Sequence, residues 1–423
     1  MTVAVEAGEL GQGTGIPVTR ETAFPIGSIS KAWTATLVMI LVADGDLELD
    51  APLGEHLPDL GDLGGRLTLR QLLSHTSGFA DMPEFSTGSL RRYVREHCRR
   101  QDLVVAPETG FTYSSRNYVL VGHLIETITG MSWWEAMESV LLRPLGVDPA
   151  VVVTPPGRTP YERPIATGHS VNTTLGRTRP VQQSLTSAGA PAGALAMSAV
   201  DLVALGLMHV RPGIPELLPV THAEWMRQAV PGADPFGLAD GWGAGLAVFS
   251  DGVTDWVGHD GNAHGTACYL RIDPAGGWVV ALTTNANTGS LLWEELSTEL
   301  RQTSLPLGAH RRNVSGHAPV ASPAECVGSY VNGPTEYLIT AGDDGELYLA
   351  NGDELIARLA FADDAVFVLQ DLASGQRLHI GRFLRDPITK QVEQLQIGGR
   401  LARRERAPTV PEARSSTDSL RCV

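Results

Sequence analysis

The stretch Phe24-Pro25-Ile26-Gly27-Ser28-Ile29-Ser30-Lys31, running into Ala32-Trp33-Thr34-Ala35-Thr36-Leu37-Val38-Met39-Ile40-Leu41-Val42, constrains this chain more than any other. A Gly-Ser opening followed by apolar residues at three- and four-residue spacing predicts a loop entering a buried helix over 28–43. Ser28 falls in its first turn and Asp44-Gly45-Asp46 at its stop. On such a helix Ser28 and Lys31 stand at i,i+3 on one face, so hydroxyl and amine can touch. A serine nucleophile needs that geometry from its base.

Lysine usage sharpens the point. Among 32 Lys and Arg residues, only Lys31 and Lys390 are lysines. Arginine stays charged near neutral pH, whereas a buried lysine can lose its proton. Bringing a lysine from about 10.4 to about 7 withholds roughly 4 to 5 kcal/mol of charge stabilisation, which an apolar pocket can do. Ser-x-x-Lys also arises by chance, so the rest of the chain decides.

A chain of 423 residues, 43% hydrophobic and 19% charged, has room for two domains of ordinary composition. Its net charge of −15 disfavours nucleic acid and anionic membranes as partners. Cys98, Cys268, Cys326 and Cys422 lack CxxC spacing, so reduced thiols are expected rather than a disulfide framework or a zinc site. The twelve histidines show no paired ligand spacing, and there is no phosphate-cradling glycine loop, so neither metal nor cofactor is expected. The first residues lack a basic segment followed by an apolar one, and no apolar run is long enough to span a bilayer. A cytoplasmic location is the expectation.

Along the chain, residues 2–6 read as a short strand and Leu67–Leu73 as a short helix closed by Ser74-His75-Thr76-Ser77-Gly78. His75 is read as a structural loop residue, because Lys31 already fills the base role. A helical region over 88–101 carries Arg91, Arg92, Arg95, Arg99 and Arg100, read as a solvated face. Pro107 to Tyr118 leads into an apolar helix over 118–129, placing Tyr113 at a loop-to-helix junction where it either packs or passes protons. An irregular stretch reaches residue 190, and Ala192–Ser198 opens a further helix. Between Gly237 and Asn285 β-branched and aromatic residues signal strands around Gly258-His259-Asp260-Gly261-Asn262, with a closing helix over 290–302. The domains are expected at 1–306, a linker at 307–322, a small β-barrel at 323–406 and a disordered tail at 407–423.

Ser28-x-x-Lys31, the Tyr113 stretch and His259-Asp260-Gly261, in this order, resemble the serine β-lactamase and penicillin-binding-protein superfamily, in its class C β-lactamase, DD-peptidase and esterase branch. The Leu73–Gly78 loop and the Pro191-Ala192-Gly193 turn agree with it. The resemblance implies an α+β catalytic domain, an antiparallel sheet flanked by helices with a helical subdomain, followed by a lipocalin-like barrel. It implies that Ser28 attacks a carbonyl, Lys31 takes its proton and Tyr113 passes one to the leaving group. The backbone N–H groups of Ser28 and Asn262 would form the oxyanion hole, and His259 would bind a substrate carboxylate or tune Tyr113. Asp260, Gly261, Ser115 and Asn117 would contact substrate. Ser115 stands where the family usually has asparagine, with Asn117 two residues on. The family's leading helix and edge strand have no counterpart before Phe24.

A narrower similarity, to penicillin-binding-protein-type thioesterases, rests on Trp133-Trp134-x-Ala136-Met137, Leu142-Arg-Pro-Leu-Gly146, Phe236–Gly243, Gly258–Gly261 and Cys268-x-Leu270-Arg271. It implies release of a nonribosomal peptide from a carrier protein by macrocyclisation or hydrolysis. The alternatives are a hydrolase of esters, β-lactams or D-amino-acid peptides, and a non-catalytic binding protein on an inherited fold.

Overall fold

The chain's structure, a computed structural model, describes residues 2–405 apart from 83–87, 153–161, 251, 253, 304, 306, 309–319, 352–353, 364, 373–374 and 376. Helix α1, Ile29–Ala43, runs through the middle of the first domain, and every residue from Ile29 to Leu41 is buried. A helix apolar all round must be enclosed on all sides, and the other elements do this. The helical subdomain supplies α2, Leu90–His97, and α3, Ser115–Thr129, which ends on left-handed Gly130.

An antiparallel sheet supplies the other wall: β1, Gly241–Trp242; β2, Ala247–Ser250; β3, Asp255–Ala263; β4, Thr266–Asp273; and β5, Trp278–Thr284, in that spatial order. β4 is buried along its whole length, as the strand covered on both faces must be. Cys268, Leu270 and Ile272 join the core around α1 and α4, Ala199–Leu207. The alternate residues face α6, Gly289–Arg301, where Tyr269 stacks on Trp293 at 4.9 Å between centroids. Between these helices in sequence lies α5, Val220–Arg227.

A second core belongs to a closed eight-stranded antiparallel barrel: β6, Gly328–Asn332; β7, Thr335–Ala341; β8, Leu347–Asn351; β9, Glu354–Phe361; β10, Val366–Asp371; β11, Arg377–Arg385; β12, Val392–Ile397; β13, Arg400–Arg404. Tyr330, Phe361, Phe367 and Phe383 fill it, and closure leaves no strand edge.

The expected α+β domain with a following barrel is present, with local differences. Residues 2–6 form no strand, because no partner strand lies beside them among the described residues. The stretch read as irregular contains a hairpin, Gly168–Asn172 with Arg177–Val181. The arginine-rich helix is shorter, Leu90–His97, and the helix expected from residue 118 begins at Ser115, so Asn117 lies inside it. The expected tail lies outside the described residues, as do 309–319 of the expected linker. Cys98, Cys268 and Cys326 are buried and joined in no disulfide among the described residues. No helix among the described residues is long and apolar enough to cross a membrane.

Two glycines let β3 press against the turn before α1. A Cβ on Gly261 would lie 2.0 Å from the Ile26 carbonyl oxygen, and one on Gly27, at φ +50°, 2.2 Å from that of Asn262. Gly261→Ala is therefore expected to lose about 1–3 kcal/mol of stability, read as a lower denaturant midpoint. Gly65→Ala, whose added carbon meets nothing nearer than 4.0 Å, should stay within about 0.5 kcal/mol of wild type.

Candidate active site

Ser28 is the N-cap of α1, yet its side chain makes no capping bond. The hydroxyl instead accepts a hydrogen bond from Lys31 Nζ at 3.0 Å, one turn along the same face. Lys31 also donates to the Ala192 carbonyl at 3.1 Å, and Thr34 Oγ1 to that of Pro191 at 2.8 Å. The Pro191-Ala192-Gly193 turn thus clamps α1 beside Ser28. Lys31 is 1% exposed. Burial brings its amine down to about 7, with Arg400 adding to the shift and Asp81 opposing it.

Tyr113 reaches the same point from the start of α3. Its hydroxyl is within side-chain hydrogen-bonding reach of Ser28, and Lys31 Nζ sits 5.0 Å from its ring centroid. Burial pushes the phenol above its ordinary range, so at neutral pH it keeps its proton and can donate it. His75, in left-handed backbone at φ 58°, lies beneath the Tyr113 ring with centroids 4.4 Å apart. Its Nδ1 accepts from the Ser114 N–H at 3.2 Å, which places the ring proton on Nε2. Burial holds His75 neutral, far below its ordinary range.

β2 pairs with β3 only from Asp255 to Gly258. From His259 onward that edge of β3 has no strand partner among the described residues, and Gly261–Asn262 abut Ile26–Gly27 beside Ser28. The backbone of Asn262 is thereby brought next to the nucleophile's own turn. His259 is buried, and its Nδ1 donates to the Asp260 carbonyl at 2.6 Å while Nε2 has no partner. Trp242 stands edge-on to its ring at 5.3 Å between centroids. Burial and then Lys31 lower His259 to about 4, so the imidazole is neutral at pH 7.

These placements correct several expectations. A neutral His259 whose Nδ1 proton goes to the Asp260 carbonyl has no ring proton left for a substrate carboxylate, and its ring lies 6.3 Å from that of Tyr113 between centroids, where the expected tuning of Tyr113 stands. Asp260 is committed elsewhere: Arg271 grips both of its carboxylate oxygens, the second at 3.2 Å, while the guanidinium lies 3.6 Å from the Phe249 ring centroid. Asn117 is fully buried; it accepts from Ser77 Oγ at 2.6 Å and lies 3.1 Å from His75 Nδ1, so its amide is spent beneath the cleft. Ser115 is half-buried at the first position of α3, where its N–H donates to Asp81 Oδ1 at 2.8 Å.

Asp81 and Arg400 belong to the site and have no motif in the sequence. Arg400, on β13 of the barrel, donates to Asp81 Oδ2 at 2.9 Å, and its guanidinium lies 5.4 Å from the Tyr113 ring centroid. Burial works to raise the Asp81 carboxyl, yet Arg400 and the N–H groups of Ser115 and Met82 carry it below its ordinary value. Among the described residues no group of three or more His, Cys, Asp or Glu side chains could hold a metal ion.

The profile of the family described as Beta-lactamase matches residues 3–303. Penicillin-binding protein 4 of Amycolatopsis lactamdurans is 34% identical over 310 residues, 70% of this chain and 80% of that protein. Among solved structures, SurE superposes with a TM-score of 0.83 at 40% identity, over 94% of this chain and 91% of its own, and a second SurE structure, also 40% identical, contains D-Leu. The D-amino acid amidase of Ochrobactrum anthropi SV3, complexed with D-phenylalanine, gives a TM-score of 0.57 at 26% identity over 66% of this chain and 81% of that one.

Because only the neutral amine can take a proton from Ser28, labelling of Ser28 by a fluorophosphonate is expected to rise with pH, half-complete near pH 7 and flat above. A lysine at its ordinary value would still be gaining at pH 9. Asp81 raises the Lys31 pKa, so Asp81→Asn should move the midpoint to lower pH. Both follow from labelling rates between pH 5 and 10.

Proposed function

This chain belongs to the beta-lactamase family of serine hydrolases, and from that premise we propose that it releases a peptidyl thioester through a Ser28 acyl-enzyme, closing the peptide into a ring or hydrolysing it. The observation that carries the reading is the Lys31 amine, dry, near pKa 7 and bonded to Ser28 Oγ, with the Tyr113 phenol within reach of the same oxygen. Neutral Lys31 takes the Ser28 proton as Oγ attacks the thioester carbon. The backbone N–H groups of Ser28 and Asn262 receive the oxyanion. When the tetrahedral intermediate collapses, the C–S bond breaks and Tyr113 passes its proton to the leaving sulfur, to be restored from Lys31. An amine of the peptide, or water, then attacks the ester along the reverse path.

The free edge of β3 suits an extended peptidyl chain, which can pair with it as an added strand. The unpartnered Nε2 of His259 offers an acceptor for a substrate N–H. Lys31, Tyr113, His75, His259 and Trp242 are all buried, and a site so poor in water lets a tethered amine compete for the ester. A D-configured residue at the acylated position or on the attacking amine is supported by the D-Leu in SurE and the D-phenylalanine in the amidase. The substrate arrives free or on a carrier protein. The second reading, hydrolysis of D-amino-acid amides or peptides, draws on the same amidase likeness.

Intact-mass spectrometry after incubation with a peptidyl thioester mimic ending in a D-residue tests the proposal. Wild type should carry the acyl adduct or yield a cyclic or hydrolysed product, and Ser28→Ala neither. Tyr113→Phe should turn over about 10²–10⁴ times more slowly. Folded wild type that ignores the thioester but cleaves a D-amino-acid amide would replace this reading with the second.

A further inference from the structure

The segment bearing Tyr113 makes its inward hydrogen bonds to its own domain and its outward ones to the barrel. Inward, Thr112 N–H donates to the His75 carbonyl at 3.0 Å and Ser114 Oγ to that of Ala80 at 2.8 Å. Outward, Gln396 Nε2 donates to the Phe111 carbonyl at 3.3 Å, and the Tyr113 N–H donates to the Gly399 carbonyl at 2.9 Å. Thr112 Oγ1 accepts from Asn332 Nδ2 at 3.1 Å and from the Leu401 N–H at 3.3 Å.

Asn332 is the hub. It ends β6, is fully buried, and also accepts from the Asp81 N–H at 2.9 Å and donates to the Leu401 carbonyl at 2.6 Å. The β12–β13 turn that carries Gly399 is made by Gly398 and Gly399 at φ 52° and 72°, a left-handed pair that bends the hairpin tightly enough to reach Tyr113. Every residue from Phe111 to Tyr113 is therefore tied to the barrel by at least one hydrogen bond, and Ser115 is tied through Asp81 and Arg400.

We propose that the barrel is a positioning element of the active site, in which Asn332 and the β12–β13 hairpin, acting through Thr112, hold the Tyr113 phenol at Ser28. The proposal rests on the proton-donating role given to Tyr113 above. A displacement of about 1 Å in such a group costs on the order of 10²-fold in rate. The loss must then depend on how much the leaving group needs a proton: p-nitrophenolate departs without one, and an alkoxide does not.

The test compares a p-nitrophenyl ester and an alkyl ester of one N-acyl D-amino acid, in the full chain, as wild type, Tyr113→Phe, Thr112→Val and Thr112→Ser, with folding followed by circular dichroism. Thr112→Val keeps the shape and removes the hydroxyl that the barrel grips. Its single-turnover rate of alcohol release from the alkyl ester should fall at least about tenfold. Its burst rate of p-nitrophenol release, which precedes the deacylation that both esters share, should stay near wild type, and Thr112→Ser should restore both. Should Thr112→Val not fold, Gln396→Leu, which severs the Phe111 link from the barrel side, must show the same selectivity. Parallel loss on both esters, or no loss, overturns the positioning role. Selective loss in Tyr113→Phe without it in Thr112→Val or Gln396→Leu overturns the barrel's part and leaves the proton donor standing. Absence of selectivity in Tyr113→Phe itself overturns both.

Discussion

The burial of one amine organises this protein. Lys31 is the one charged residue of a wholly buried stretch of helix, and among the described residues its amine bonds the Ser28 hydroxyl and the Ala192 carbonyl. Lowering it from 10.5 to about 7 amounts to about 5 kcal/mol withheld from the charged form. The folded pKa lies below the unfolded one. The penalty is therefore complete below pH 7, where both states are protonated, and it fades as pH rises toward 10.5, where the unfolded chain holds a proton that the folded one has released. A cost of that size is comparable to the net stability of many domains, so the packing of α1 must exceed it. Enclosure by α3, the Pro191 turn and the sheet therefore both stabilises the helix and lowers the Lys31 amine toward neutrality.

The surrounding charges are arranged so that Lys31 is the group that titrates near neutrality. His75 and His259 are kept neutral by burial, and Tyr113 is kept protonated. Asp81 is neutralised by Arg400 and Asp260 by Arg271. A bare Asp81 would raise Lys31 and a bare Arg400 would lower it further; their pairing limits both effects. Because one partner stands on the barrel, the electrostatics of the base depend on how the two domains meet.

How far the site could be read from the sequence follows from how local each relation is. Ser28 and Lys31 are one helical turn apart, so their contact was legible from spacing and the apolar run, and the α+β domain with a barrel behind it was legible from motif order and strand patterning. Where a side chain turns depends on tertiary partners, and there the reading failed. Asp260 was assigned to substrate as part of the His259-Asp260-Gly261 motif, but Arg271 on the neighbouring strand pairs with it. Asn117 was offered as a stand-in for the missing asparagine, but the helix starts early enough to point it at Ser77 and His75. Asp81, Asn332 and Arg400 carried no signal, because what makes them matter is a contact between domains; Asn332 and Thr112 lie 220 residues apart.

That contact also bears on the choice between cyclisation and hydrolysis. The groups that acylate Ser28 serve esters, lactams, amides and thioesters alike, so reaction choice cannot reside in them. It resides in what reaches the acyl-enzyme next. Tyr113 is reached from the barrel by the Gly399 carbonyl and the Arg400 guanidinium, while Gly261 and Asn262 of β3 reach the turn before Ser28 from the sheet. On the proposed reaction, the hairpin that bonds Tyr113 is therefore where the barrel can act on proton delivery and on the incoming nucleophile alike.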